Sequence, residues 1–390
     1  MKEEIQLSLV MPCLNEIETL EGCIRLAQEG LKKAGVAGEI LIADNGSTDG
    51  SQQLAESLGA RVINVPRKGY GSALRAGIEG SRAEWIIMAD SDGSYDWSDL
   101  VPFLEKMREG YDLVMGCRMP YGGGTIMPGA MPWLNRYLGN PVLSSIGRTL
   151  FSIPTTDFHC GMRAFSKKAY KQMELRTYGM EFATEMVVKA ALKGQRITEV
   201  PITLHKDGRS RPPHLRRWRD GWRHLRFMLL FSPRWLFFYP GLLILGVGLF
   251  LFAPLSLGPV WLGPLKLING TLCVAGLMIN IGLQLLCFGL LGKAHSIAKG
   301  LLPESPRWGK SVRLFSLEKG ILAGLVPILV GMVILIGAIF DWKATDWGTL
   351  DTDQNLRTLI TAATFVGIGT QIIFTSFLMS ILELKTDRAA

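Results

Sequence analysis

Four stretches of this 390-residue chain contain no Asp, Glu, Lys or Arg: residues 235–265, 267–292, 320–340 and 358–382. Each exceeds the roughly 20 apolar residues that a helix needs to cross a bilayer. Run length separates such a segment from the shorter buried helix of a soluble core. The first run holds Pro254, Pro259 and Pro264, so a helix of about 22 residues followed by a short loop is expected there. The expected spans are about 235–257, 268–291, 320–340 and 358–382. Charge divides the chain the same way. Residues 1–234 carry 57 charged side chains and residues 235–390 only 19. The first part has the density of an ordinary soluble domain, near 25%, and the second does not. This excludes a single soluble enzyme, a disordered chain and a disulfide scaffold.

Four spans put both termini on one side of the membrane. The loop 293–319 carries Lys293, Lys299, Arg307, Lys310, Arg313 and Lys319 against Glu304 and Glu318, whereas 341–357 holds four Asp, one Lys and one Arg. By the positive-inside rule the first loop, the N-terminal domain and both termini face the cytoplasm. The polar residues within the runs, Asn269, Asn280, Gln284 and Gln371, suit interhelical hydrogen bonds. No ionisable group lies mid-span, which argues against an ion-coupled pump. The N-terminal MKEEIQLSLVM lacks the pattern of a signal peptide. The six cysteines show no metal-ligand spacing, and the five histidines add none. The formal net charge is +8, and from His205 to Arg234 there are nine Lys/Arg and two Asp. A basic cluster abutting an apolar run points to an anionic membrane surface or phosphate head group rather than nucleic acid.

Before that junction, short β-rich runs recur at 5–11, 39–44, 61–65, 85–90 and 111–116, separated by helical patterns at about 17–34, 48–58, 70–81 and 98–109. The alternation implies βαβ units and an α/β, mostly parallel sheet. Ligands of such sheets bind beyond the carboxyl ends of the strands. There the chain places Pro12-Cys13-Leu14-Asn15-Glu16, Asp44-Asn45-Gly46-Ser47-Thr48-Asp49-Gly50, Arg67-Lys68-Gly69-Tyr70-Gly71, Asp90-Ser91-Asp92-Gly93-Ser94 and Gly116-Cys117-Arg118. Asp90 and Asp92, just past a buried strand, can share a hard divalent cation with substrate phosphate oxygens. Asp44 reads either as a ligand-binding carboxylate or as an Asx-turn. Asp49 reads as the cap of the following helix.

In this order the motifs resemble family 2 glycosyltransferases with a Rossmann-like GT-A fold. The resemblance is closest to polyprenyl-phosphate glycosyltransferases, of the dolichyl-phosphate mannose synthase and bacterial undecaprenyl-phosphate glucosyltransferase type. It rests on the segments above and on D-F-H-C-G-M-R-A-F at 157–165 and G-M-E-F-A-T-E at 179–185. It implies that Pro12, Leu14, Asn15, Glu16, Asp44 and Lys68 hold the nucleotide. Asp90 and Asp92 would hold Mg²⁺ or Mn²⁺ and, through it, the donor diphosphate, with Ser94 where some members carry a metal-binding Gln. Asp157 takes the place of the family's candidate base. Arg118, Arg163, Arg209 and Arg211 would contact phosphates, and Glu185 matches a family position in the same region. Asn45 stands where many members have a second Asp. Inversion at the anomeric carbon is implied by the resemblance.

The chemistry fits independently. A sugar nucleotide leaves as a diphosphate, whose charge a divalent ion offsets. A phosphate monoester acceptor is already anionic near neutral pH. It needs orientation by Arg forks more than it needs a base. Asp157 is therefore read either as an orienting group or as a base. In 214–231, Trp218, Trp222, Leu225 and Leu229 fall on one helix face and Arg216, Arg219, Arg223 and Arg226 largely elsewhere, the pattern of an interfacial helix. The expected organisation is a cytoplasmic catalytic domain at 1–212, an amphipathic juxtamembrane helix at 213–234 and four membrane helices within 235–390. The expected partners are a nucleotide-sugar, a polyprenyl phosphate and the bilayer; self-association is left open. The alternatives are a processive polysaccharide synthase, suggested by His214-Leu215-Arg216-Arg217-Trp218, and a nucleotide-binding transporter or scaffold.

Overall fold

The structure, a computed structural model, describes residues 5–210, 217–299, 302, 308, 317–349 and 351–383. Two compact units divide at Met228 and Leu229. The first begins with strand β1 (Leu7–Cys13), helix α1 (Ile17–Ala34), β2 (Gly38–Asp44), α2 (Ser51–Ser57), β3 (Arg61–Asn64) and α3 (Tyr70–Gly80). It continues with β4 (Trp85–Met88), α4 (Val101–Arg108), β5 (Leu113–Cys117), β6 (Thr125–Ile126) and α5 (Asn140–Phe151). It closes with β7 (Arg163–Ser166), α6 (Lys167–Met173), α7 (Phe182–Leu192), β8 (Ile197–Pro201), β9 (Thr203–Leu204) and α8 (Arg217–Leu230).

All five strands read from the sequence form. They join a seven-stranded sheet in the order β3-β2-β1-β4-β7-β5-β8. Six strands run parallel, and β7 is inserted antiparallel between β4 and β5. Strand β1 is buried on both faces, as a parallel-sheet interior requires. Leu20, Cys23, Ile24 and Ala27 recur at three- and four-residue steps along α1 and bury its inner face against the sheet. Gly35, in the left-handed region, ends α1 with its N–H on the Leu31 and Lys32 carbonyls. Successive crossovers carry the chain from β1 outward to β3, then back across to β4. The switch point therefore lies between β1 and β4, where an open α/β sheet leaves a crevice.

The second unit holds α9 (Tyr239–Leu257), β10 (Val260–Leu262), β11 (Leu265–Leu267), α10 (Asn269–Ala298), α11 (Leu317–Ala344) and α12 (Thr352–Glu383). The expected loop after the first span is a β-hairpin, turned at Gly263 with φ +61°. Four helices are long and apolar enough to cross a membrane: Arg234–Leu257, Asn269–Ala298, Leu317–Ala344 and Thr352–Leu382. Only 11–33% of their most apolar windows is buried in the protein, so the remaining apolar surface calls for lipid. Small residues let the helices approach. A Cβ on Gly282 would meet the Leu245 backbone nitrogen at 2.5 Å, and one on Gly369 the Gly324 carbonyl at 2.3 Å. Asn280 Nδ2 donates to the Gly276 carbonyl at 3.0 Å, and Asn269 Nδ2 to that of Asp353 at 2.9 Å.

Two glycines test the packing of the first unit. A Cβ on Gly77 would lie 2.5 Å from Cγ1 of Val10 in the sheet, whereas one on Gly22 meets nothing within 4 Å. Gly77→Ala should cost about 1–3 kcal/mol by overpacking against a stiff β-branched side chain. Gly22→Ala should gain up to about 1 kcal/mol of helix propensity. Melting temperatures that move in opposite directions would verify the pairing.

Candidate active site

Loops after β1, β2 and β4 meet at the switch point and hold one another. Asn15, with φ 58°, sits in the left-handed region that Asn visits more readily than most residues. Its N–H donates to Ser47 Oγ at 2.8 Å, and its Oδ1 accepts from Thr48 N at 2.8 Å. Glu16 N donates to Ser51 Oγ, and Ile17 N to Asp49 Oδ2 at 3.0 Å. Asp49 also takes the Ser51 N–H and hydroxyl, so it caps both α1 and α2. The Ser91 hydroxyl donates to the Pro12 carbonyl at 2.7 Å, and the Thr19 hydroxyl to that of Ser91 at 2.8 Å.

The structure gathers Pro12, Asn15, Glu16, Asp44, Lys68, Asp90, Asp92, Ser94 and Arg209 along this edge, with Leu14 in the first loop. Asp44 forms the Asx-turn: its Oδ2 accepts from Gly46 N at 2.9 Å, Ser47 N at 3.0 Å and Gln52 Nε2 at 2.6 Å. Asn45 Nδ2 donates to the Val65 and Arg67 carbonyls at 3.1 and 2.8 Å, while its Oδ1 accepts from Gly69 N at 2.7 Å. An ionised Asp could not donate either bond. Lys68 Nζ donates to the Asn45 carbonyl at 2.6 Å.

Trp97 Nε1 donates to the Asp90 carbonyl at 3.2 Å and anchors the D-S-D-G-S turn to the core. Burial, then the charge of Asp92, pushes the Asp90 carboxyl up from 3.8 to about 7; the Tyr70 hydroxyl, Arg209 and Arg118 pull the other way. Asp92 Oδ1 accepts from Ser94 N and Oγ, and its Oδ2 pairs with Arg209. Arg209 Nε also lies 3.4 Å from Glu16 Oε2. Among the described residues no group of three His, Cys, Asp or Glu side chains could hold a metal. The donor set is instead two carboxylates, one of them pushed up by burial and then by the other's charge, with a guanidinium as neighbouring cation. A hard divalent ion completed by substrate phosphates fits that set.

Asp157 is fully buried on a neighbouring loop. Arg118 grips it in a fork, Nε to Oδ2 at 2.6 Å and Nη2 to Oδ1 at 2.8 Å, and Arg118 N adds a third bond at 3.0 Å. Gly161 lets this loop approach: a Cβ there would lie 2.9 Å from Tyr95 Oη and 3.2 Å from Asp90 Oδ2. His159, two residues on, packs edge-on to His224 of α8 at 5.0 Å, and His224 Nδ1 lies 2.6 Å from Thr184 Oγ1. Burial, then His224, holds the His159 imidazole well below its usual 6.5, so it is neutral.

Two expected phosphate contacts do not reach this edge. Arg163 is wholly buried, and its guanidinium donates to the carbonyls of Cys160, Ala183 and Phe158, which fixes the Asp157 loop from beneath. Glu185 is 1% exposed; it accepts from Arg176 N, Thr177 N and Thr177 Oγ1 and pairs with Lys189 at 2.9 Å. Arg211 and residues 214–216 lie outside the described residues. Tyr70, Tyr95, His159 and Glu18 carry contacts that the sequence reading assigned to none of them. Tyr70 alone had a local signal, its place inside K-G-Y-G-S-A.

The mostly parallel sheet, with paired carboxylates at its switch point, is a GT-A-like domain, and a helical region with four candidate transmembrane helices follows it. Residues 8–173 match the glycosyl transferase family 2 domain, and residues 290–383 match the glycosyltransferase family 2 C-terminal transmembrane region. The chain is 35% identical over 378 residues to the low-salt glycan biosynthesis hexosyltransferase Agl6 of Haloferax volcanii, covering 96% of this chain and 89% of that protein. It is 32% identical over 164 residues to a dolichyl-phosphate hexose transferase of the same organism, covering 42% of this chain and 68% of that one. Among solved structures it is similar to glucosyl-3-phosphoglycerate synthase from Mycobacterium tuberculosis in complex with Mn²⁺, UDP and glucosyl-3-phosphoglycerate. That likeness has a TM-score of 0.41 at 21% identity, over 59% of this chain and 79% of that one. The chain belongs to glycosyltransferase family 2 and is an integral membrane glycosyltransferase.

Two outcomes are expected. Asn45→Asp removes two donors, from the Val65 and Arg67 carbonyls, and should cost about 1–3 kcal/mol of stability, read by denaturation. Asp90, whose folded pKa of about 7 lies above its unfolded value, adds stability at low pH that is lost as pH rises through 7. Asp90→Asn should flatten that part of the melting profile of the cation-free protein; an unchanged profile would mean that Asp90 is ionised throughout.

Proposed function

We propose that this glycosyltransferase moves one hexose, with inversion, from a UDP- or GDP-linked donor to a membrane polyprenyl phosphate. The lipid-linked sugar would serve cell-envelope glycan or glycoprotein assembly. The observation that carries the acceptor reading is the Arg118–Asp157 fork. Both Asp157 oxygens are engaged by Arg118, so Asp157 is poorly placed to take a proton and well placed to aim a guanidinium. An alcohol acceptor would need that proton removed; a phosphate monoester does not. The relative whose name is dolichyl-phosphate hexose transferase supports the same class of acceptor.

Asp90 and Asp92 would hold Mg²⁺ or Mn²⁺, which offsets charge on the departing diphosphate. Pro12, Leu14, Asn15, Glu16, Asp44 and Lys68 line the nucleotide side of the edge, and the Ser94 hydroxyl orients Asp92. Arg209 faces the donor phosphates. The Arg118–Asp157 pairing uses Nε and Nη2, and Nη1, free of any bond to a described residue, is assigned to the acceptor phosphate. Trp133, Tyr137, Leu138 and Val142, exposed on and beside α5, offer an apolar, aromatic surface suited to a bilayer interface. Residues 213–234 are read as a juxtamembrane amphipathic segment, and the catalytic domain and both termini as cytoplasmic.

The test uses the full chain in detergent with polyprenyl phosphate, Mg²⁺ or Mn²⁺, and a panel of UDP- and GDP-sugars. A single sugar on extractable lipid, lost with EDTA, is the expected product; a polymer would establish the processive synthase instead. Asp157→Asn should raise the KM for polyprenyl phosphate and lower kcat/KM about 10²-fold or more, the scale of losing one preorganised transition-state contact. Loss confined to kcat, with unchanged binding of both substrates, would assign Asp157 as the base.

A further inference from the structure

Residues 205–210 are fastened across the acidic end of β4 by a continuous series of contacts. His205 N donates to the Ser94 carbonyl at 2.9 Å and Gly208 N to that of Asp92 at 3.0 Å. Ser210 N and Oγ donate to the two Glu18 oxygens at 2.8 and 2.6 Å. Between these anchors the Arg209 side chain enters the site and pairs with Asp92 Oδ2 and, more loosely, with Glu16 Oε2. All three side chains are about nine-tenths buried, at 11%, 12% and 8% exposure for Arg209, Asp92 and Glu16. Charges this poorly hydrated are stable only when compensated. The guanidinium thus carries a positive charge that offsets both neighbouring carboxylates.

We infer that Arg209 is a built-in counter-cation for Asp92 and Glu16, which excludes a free divalent ion and transfers to the donor diphosphate when nucleotide and cation arrive together. This deepens the proposed function and rests on its assignment of Asp90 and Asp92 to the donor's cation. The reason is electrostatic. A divalent ion and a guanidinium cannot share Asp92 Oδ2, so one must leave. Leaving alone strands a buried charge on Arg209. A donor diphosphate removes that cost, because its oxygens accept the guanidinium fork in place of the carboxylate. Exchange of partners then keeps both Asp92 and Arg209 paired. Cation and nucleotide bind with positive coupling, and by linkage each raises the affinity of the other equally.

The experiment is a Mn²⁺ titration of the full chain in detergent, read by the electron paramagnetic resonance of free Mn²⁺, alone and with UDP or GDP. Wild type should bind Mn²⁺ weakly alone and at least 10-fold more tightly with the nucleotide. Arg209→Gln should move the two affinities in opposite directions: several-fold tighter for Mn²⁺ alone, several-fold weaker with nucleotide. Arg209→Lys, which keeps the charge, should leave Mn²⁺ alone weak. Glu18→Gln loosens the strap without removing the cation and should also leave it weak. The inference is overturned if Arg209→Gln weakens both affinities, as a purely structural strap would, or leaves Mn²⁺ alone unchanged, as a simple phosphate contact would. It is overturned as well if Glu18→Gln reproduces Arg209→Gln. If wild type binds no Mn²⁺ even with nucleotide and turns over without a cation, the metal assignment falls too, a result distinct from the others. Melting temperatures of each variant confirm that it is folded.

Discussion

The catalytic unit depends on the compensation of carboxylates gathered where little water reaches them. Glu16, Asp92 and Asp157 are buried at neighbouring loops beyond the sheet, and Asp90 is enclosed beside Asp92. Removing such groups from water costs several kcal/mol each unless a partner offsets it. The fold supplies two guanidinium partners from distant parts of the chain, Arg118 for Asp157 and Arg209 for Asp92 and Glu16. Each brings together segments that are not neighbours in sequence. Loss of either arginine therefore leaves a buried carboxylate without its ion-pair partner.

Around these ion pairs, polar loops hold their own backbone. Asp44 turns the loop after β2, Asn45 suspends the 65–69 loop, Asp49 caps two helices, and Ser47 and Ser51 receive N–H groups from the loop after β1. Backbone donors that would be orphaned beyond the strand ends are satisfied this way. Asn45 serves there as donor and acceptor at once, which an ionised Asp could not do. Beneath the edge, Arg163 and Glu185 do similar work, the first gathering three carbonyls and the second holding the turn at 176–177.

Most of the architecture was legible in the chain. Continuous apolar runs bounded by turn residues marked five strands, and length marked four membrane helices, since both signals are local. Strand β7 was missed because R-A-F-S is four residues without alternation, and its antiparallel place between β4 and β5 is a property of the sheet. The hairpin β10–β11 carries no local strand signal, because its prolines mark only an interruption of the apolar run. In the site, the residues after β1, β2 and β4 were legible because topology fixes where parallel strands end. Arg163 and Glu185 bind backbone groups instead, because residue type cannot say whether a charge faces a ligand or buried main chain. The contact of His224 with Thr184 and of His159 with His224 links α8 to the Asp157 loop, across separations that no spacing rule addresses.

The sequence by itself determined the membrane half, the α/β catalytic half, the family and the carboxylate pair at the sheet edge. Each follows from composition, periodicity or position after a strand, which are properties of short segments. Only the tertiary structure decided which charge meets which: Arg118 with Asp157, Arg209 with Asp92 and Glu16, Arg163 with carbonyls. Coulomb energy and desolvation depend on through-space distance and burial, and those exist only once loops remote in sequence have been brought together.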